Sequence, residues 1–154
     1  MKPSPPCTLG NANDGLARVL RCAVAGAGKA RHRIADEAGM HKDTLLSVIR
    51  GEGQITIDKA VRILKACGAP VRATLVLVLT GHEALAEQWM HQNIGGFLDE
   101  FLAALPAELN DTLGDRVGDV RPRWAVGTSR LVARLLSKHI DEFAERDLSL
   151  AIGR

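Results

Sequence analysis

The chain has 154 residues, enough for one domain or two small ones. Its 20 Lys and Arg stand against 18 Asp and Glu, a net charge of +2, which excludes a highly charged nucleic-acid tail and an acidic disordered chain. With 46% hydrophobic residues but only 3% aromatic, no Tyr, and Ala and Leu dominant, the chain is expected to be an all-α soluble protein.

Residues 1–14 open with Pro, Asn and Gly and carry no apolar run of the kind a signal peptide needs. A flexible tail is expected there. Asp14 can cap a first helix from about Leu16, with Leu16, Val19, Leu20 and Ala23 on one face and Gly26 and Gly28 ending it. A second helix is expected from Arg31 to Ala38, broken by Gly39. A third follows from Lys42 to Arg50, before Gly51 and Gly53. Thr56 caps a fourth, with Asp58 in its first turn and Gly68 closing it. Pro70 suits the first position of a helix through Leu79. The same stretch, VRATLVLVLT, is also the best strand candidate in the chain; helix is favoured.

Further on, Glu83–His91 reads as helix, and Phe97, Leu98, Phe101, Leu102 and Leu105 recur at helical spacing. Pro106 is expected to start another short helix to Leu113, followed by a turn-rich stretch to Trp124. A last helix, capped by Thr128 or Ser129, carries the stripe Leu131, Val132, Leu135, Leu136, Ile140 and Phe143. His139 beside that stripe is expected to be half-buried. The longest apolar run, Leu75–Leu79, is far short of the ~20 residues that span a bilayer, so no membrane is expected. Cys7, Cys22 and Cys67 are odd in number and lack metal-ligand spacing, which favours a reducing cytoplasm over a disulfide framework.

Charge divides the chain. Residues 1–70 carry a net +5 and residues 71–154 a net −3, and all five aromatics lie in the acidic part. One half is built to meet an anion and the other to pack or pair. The expected organisation is a tail over 1–14, a basic helical domain over 15–80, and a helical dimerisation or interaction region over 81–154.

Residues 31–51, RHRIADEAGMHKDTLLSVIRG, carry the functional reading. Two helices crossing over a short turn need a small residue where they touch and a glycine where the chain reverses. Ala35 and Gly39 supply these, and Ile34, Met40, Leu45 and Val48 can share one buried patch. Lys42, Asp43, Thr44, Ser47 and Arg50 are then left facing out. This segment resembles the helix-turn-helix of the phage-repressor (Cro-like, XRE) family. Ile34-Ala35 match its second helix, Ala38-Gly39 the turn, Met40 the position after it, and Leu45 and Val48 the third helix. The resemblance covers about residues 15–80, with Gly28 ahead of the second helix and GEGQITIDKAVRILKACGA matching the family's loop and following helix. It implies that the third helix enters the major groove of double-stranded DNA, with Lys42–Thr44 reaching base edges and Arg31 and Arg50 holding phosphates. Ala30 departs from the usual Ser or Thr cap and Arg31 from the usual Gln. Leu46 and Ile49 fall where the family keeps polar residues, and are either packed or exposed. A solvated surface cation is the plain alternative for Lys42 and Arg50. Asp43 can accept from a cytosine amino group or simply favour a helix N-terminus.

Other chemistry is weakly represented. Gly28-Lys29 lacks the upstream glycine and the following Ser or Thr of a phosphate loop, since Ala23 and Ala30 stand there. His82-Glu83 opens like a zinc-protease motif, but Ala86 occupies the second His position. Glu87 and His91 share a helix face, where a surface ion pair is commoner than a metal. No Ser, His and carboxylate grouping suggests an enzyme, and no cofactor or metal is expected. The expected function is therefore a sequence-specific DNA-binding regulator of transcription, repressor or activator, of bacterial or phage type. A homodimer is expected, with RNA polymerase or another regulator as further candidate partners. The alternative is the antitoxin of a toxin–antitoxin pair, for which a strand over Val71–Leu79 would be suited.

Overall fold

A computed structural model describes residues 9–152, with side chains described over 12–146. The protein is all-α: α1 (Leu9–Gly26), α2 (Arg31–Glu37), α3 (Lys42–Ile49), α4 (Ile57–Cys67), α5 (Val71–Leu79), α6 (Glu83–Trp89), α7 (Asn93–Leu113) and α8 (Ala125–Ile152). Two 3₁₀ turns, Gly114–Asp119 and Pro122–Trp124, link α7 to α8. No strand occurs among the described residues. No described helix is long and apolar enough to cross a membrane.

The chain forms two compact units, one ending at Glu108 and the other beginning at Leu109. In the first, α1 is the hub. It packs on α3, α4, α5 and α6, while α2 packs on α3 and α4. The expected face of α1, Leu16, Val19, Leu20 and Ala23, is buried, and Ile34, Leu45, Ile63, Leu64, Leu77 and Val78 complete the core. Helix α4 shows how locally its ends are encoded. The Thr56 hydroxyl accepts from the Lys59 amide at 3.2 Å. Gly68 ends the helix at φ 70°, a left-handed conformation that glycine adopts without strain.

The stretch 71–79 is helix. A strand there would expose its backbone groups unless a second strand paired them, whereas a helix satisfies them internally. Ala73, Thr74, Leu77 and Val78 face the core at helical spacing. Asp99, reaching from α7, accepts from the Ala73 amide at 3.0 Å and pairs with Arg72 at 3.2 Å, so a distant carboxylate caps a helix with no cap of its own. Thr74 is 1% exposed and its hydroxyl has no hydrogen-bond partner.

Several expectations are corrected. Helix α1 begins at Leu9, so residues 9–14 are helical rather than a tail; residues 1–8 lie outside the described part. Pro106 sits inside α7 and starts nothing. The proline removes one backbone donor, but a 21-residue helix keeps its remaining bonds on both sides. The stretch after Leu113 is 3₁₀ rather than open turn, and α8 starts at Ala125, ahead of the expected caps. Ser129 instead donates to the Val126 carbonyl from within the helix, at 2.8 Å. His139 is exposed.

The second unit has no buried side chain among its described residues. Val132 and Leu136 of α8 are half-buried, and Leu131, Leu135, Ile140 and Phe143 are exposed.

Candidate nucleic-acid interface

Helices α2 and α3 meet over a four-residue turn, Ala38–His41. Gly39 takes φ 68° there, and the Met40 amide bonds the Ala35 carbonyl at 3.0 Å. Ile34, Ala35, Ala38, Leu45 and Val48 are buried and Met40 is half-buried, so the patch expected from the spacing is formed. Ala30 offers α2 no side-chain cap. The neighbouring Lys29 ties the segment down instead, donating to the Glu37 carboxylate at 2.7 Å and the Ala66 carbonyl at 2.9 Å.

Three residues that sequence reasoning passed over hold this element in place. Arg62 of α4 donates to the carbonyls of Ala38 and Gly39, both at 3.4 Å, and pairs with Asp58 at 2.8 Å. One guanidinium thereby links α4 to the turn. The Asp58–Arg62 spacing of four residues was the available sequence signal. Asn13 of α1 holds the loop after α3 from both sides. Its amide donates to the Gly53 carbonyl at 3.1 Å, and its oxygen accepts from the Ile55 amide at 2.8 Å. Arg21, also on α1, donates to the Ile49 carbonyl at 2.8 Å and so satisfies a free carbonyl at the end of α3.

With its core side pinned, α3 presents the opposite side outward. Lys42, Asp43 and Arg50 are exposed, as is Arg31 at the head of α2. Thr44 and Ser47 do not face fully out. They are half-buried and line an open cleft of about 500 Å³ with Asp43, Glu52, Gln54 and Lys59. Lys59 is a further cation at this edge, brought there because Thr56 starts α4 just before it. Leu46 and Ile49 are packed rather than exposed: Ile49 is buried and Leu46 lies half-buried against the core, where α1 meets α3.

The cations of the first unit fall into two groups. Arg18 pairs with Glu87, Lys29 and Arg33 with Glu37, Arg62 with Asp58 and Arg72 with Asp99. The hydrogen bond from Lys29, then its charge and that of Arg33, hold the Glu37 carboxyl below the usual range. Glu87 raises the Arg18 guanidinium. By contrast, among the described residues the side chains of Arg31, Lys42, Arg50, Lys59 and Lys65 have no ion-pair partner. The first four lie on α2, α3, the end of α3 and the first turn of α4, and Lys65 lies in the last turn of α4.

Other reactive groups are occupied or quiet. Glu87 is held by Arg18, which leaves it badly placed to share a metal with His91. Among the described residues no three His, Cys, Asp or Glu gather as a metal site. Cys22 and Cys67 are free thiols, and burial pushes Cys67 up to about 11, where it is a poor nucleophile at neutral pH. No family model, no curated protein and no solved structure matches the chain.

Proposed function

We propose that the protein is a sequence-specific DNA-binding regulator of transcription that acts in the cytoplasm. Helix α3 enters the major groove of double-stranded DNA, Lys42, Asp43 and Thr44 address base edges, and Arg31 and Arg50 hold phosphates on either side. Ser47 and Lys59 flank the same surface. The observation that supports this reading is the partition of cations. Four of the five described cations of the first unit without a partner, Arg31, Lys42, Arg50 and Lys59, lie on or beside α2 and α3, the fifth being Lys65 in the last turn of α4, while carboxylates or backbone carbonyls engage Arg18, Arg21, Lys29, Arg33, Arg62 and Arg72. A cation kept free of internal partners retains its full attraction for an external anion. The antitoxin alternative loses its structural support, because the segment that would have paired as a strand is α5.

The test is binding of the full chain to DNA selected from a random pool. Lys42→Ala with Thr44→Ala should abolish preference for the selected site, since a good base contact carries ~1–3 kcal/mol of discrimination. Arg31→Ala or Arg50→Ala should weaken binding to all sequences about equally and lower the salt slope by roughly 1. A double variant that selects the same site with unchanged affinity would refute the assignment of α3.

A further inference from the structure

Helix α3 is held at both ends by guanidinium groups that reach it from other helices. At its entrance, Nη1 of Arg62 donates to the carbonyls of Ala38 and Gly39 in the turn, both at 3.4 Å. At its exit, Nε of Arg21 donates to the carbonyl of Ile49, the last residue of α3, at 2.8 Å. One arginine comes from α4 and the other from α1. Among the described residues no backbone amide takes any of these three carbonyls. Each is an open acceptor of a turn or helix end, and a guanidinium carries donors enough to fill more than one.

Both contacts fall on the backbone. They do not depend on which side chains α3 presents outward, so they fix where the helix lies and leave its surface free to differ. Arg62 is itself aimed. Asp58, one turn earlier on α4, holds Nη2 at 2.8 Å and so directs Nη1 at the turn. The Nε of Arg62 is buried and has no partner. An unfilled buried donor is a cost to the fold, and an apolar side chain of similar volume would avoid it. The arrangement therefore serves placement better than stability. Placement matters at this surface, because a hydrogen bond to a base edge is lost over fractions of an ångström, whereas the attraction of a cation for a phosphate falls off gradually.

We propose that Arg21 and Arg62 are positioning residues for sequence discrimination. They hold α3 from its two ends, over about 12 Å of helix, so that Lys42, Asp43 and Thr44 arrive together at the bases. The proposal rests on the reading of α3 as the element that enters the groove, and adds to it two residues that act through the backbone without touching a base.

The test reads the ratio of affinities for the selected site and for an unrelated duplex of the same length, at one salt concentration. Asp58→Asn with Arg62→Gln keeps the net charge, and Arg21→Gln removes the second hold. Each variant should lower the ratio at least about 10-fold, as the loss of a well-placed base contact does. A lost phosphate contact lowers both affinities and leaves their ratio as it was, and so does a smaller folded fraction. Hydrogen exchange without DNA reads the two holds separately. The Met40 and Leu45 amides, which bond the Ala35 and His41 carbonyls, should exchange faster in the first variant. The Gly51 and Glu52 amides, which bond the Val48 and Ser47 carbonyls, should exchange faster in the second. Faster exchange with an unchanged ratio would make both arginines braces of the fold alone and overturn the proposal, and unchanged exchange would overturn it as well. A parent chain that prefers no duplex fails the reading of α3 itself, and the discrimination assigned here falls with it. A parent that selects a site, beside variants that select it equally well, fails only the proposal.

Discussion

The two units use similar residues to different ends. In the first, six helices turn their apolar faces to a common centre, and Leu20, Ile34, Leu45, Ile63 and Leu64 are fully buried. In the second, α8 is longer than any of those helices and carries apolar residues along its length over a broader and less sharply divided arc, yet none of its described side chains is buried. The stripe alone therefore does not say whether a helix closes a core. That depends on how many other faces the chain can bring to it. The first unit supplies them from its own sequence, and the second leaves the account open at α8.

The largest test of this contrast is a matched pair of truncations. Leu45→Ala leaves a cavity in a closed core and should cost about 2–5 kcal/mol in denaturant unfolding. Leu131→Ala removes the same atoms from an open face and should cost less than about 1 kcal/mol. Equal losses would erase the distinction between the units.

A pair of glycines sharpens it further, because one substitution should act with opposite signs. Gly95 is buried where α6 gives way to α7, and a methyl group there would run into the Trp89 carbonyl and lie 3.2 Å from Pro70. Gly95→Ala should destabilise by about 1–3 kcal/mol. Gly127 in the first turn of α8 has open space around it. Gly127→Ala should stabilise slightly, by up to ~1 kcal/mol, since alanine is the better helix former. Thermal melts of the two variants would show shifts in opposite directions.

The smallest effect concerns how the first unit holds its own loop. Asn13→Ala removes both bonds to the 53–55 segment and should cost about 1 kcal/mol. Hydrogen exchange reads this directly. The Ile55 amide should exchange faster in the variant while the α4 amides stay protected; unchanged protection at Ile55 would show that the loop is held by something else.

What the sequence disclosed and what it hid follow from distance along the chain. The Thr56 cap, the Gly68 stop, the Gly39 turn and the buried patch of Ile34, Leu45 and Val48 are all signals within one or two turns of helix, and they could be read. Asn13 acts on residues 40 and 42 positions away, so nothing near it announced its role, and the stretch around it looked like a tail. Asp99 caps α5 from 26 residues downstream, which is why 71–79 stayed ambiguous between helix and strand. Pro106 misled in the opposite way. A proline is locally a start signal, but a helix already running through it can continue. For the candidate interface, Arg31, Lys42 and Arg50 were visible as exposed cations. The half-burial of Thr44 and Ser47 was not, because it depends on where the loop and Lys59 come to rest.

Thr74 carries a consequence of another kind. Its hydroxyl sits inside the first unit with no partner, and such a group costs about 1–3 kcal/mol in lost hydration. Valine has the same shape without that burden. A domain typically has only about 5–15 kcal/mol of net stability in hand, so the protein folds with a known handicap at its centre. Natural selection keeps a fold above the threshold its work requires and leaves such slack in place. Changes at the exposed surface of α3 that weaken the fold are therefore open to compensation at position 74, inside the core, which widens the range of recognition surfaces this scaffold can tolerate.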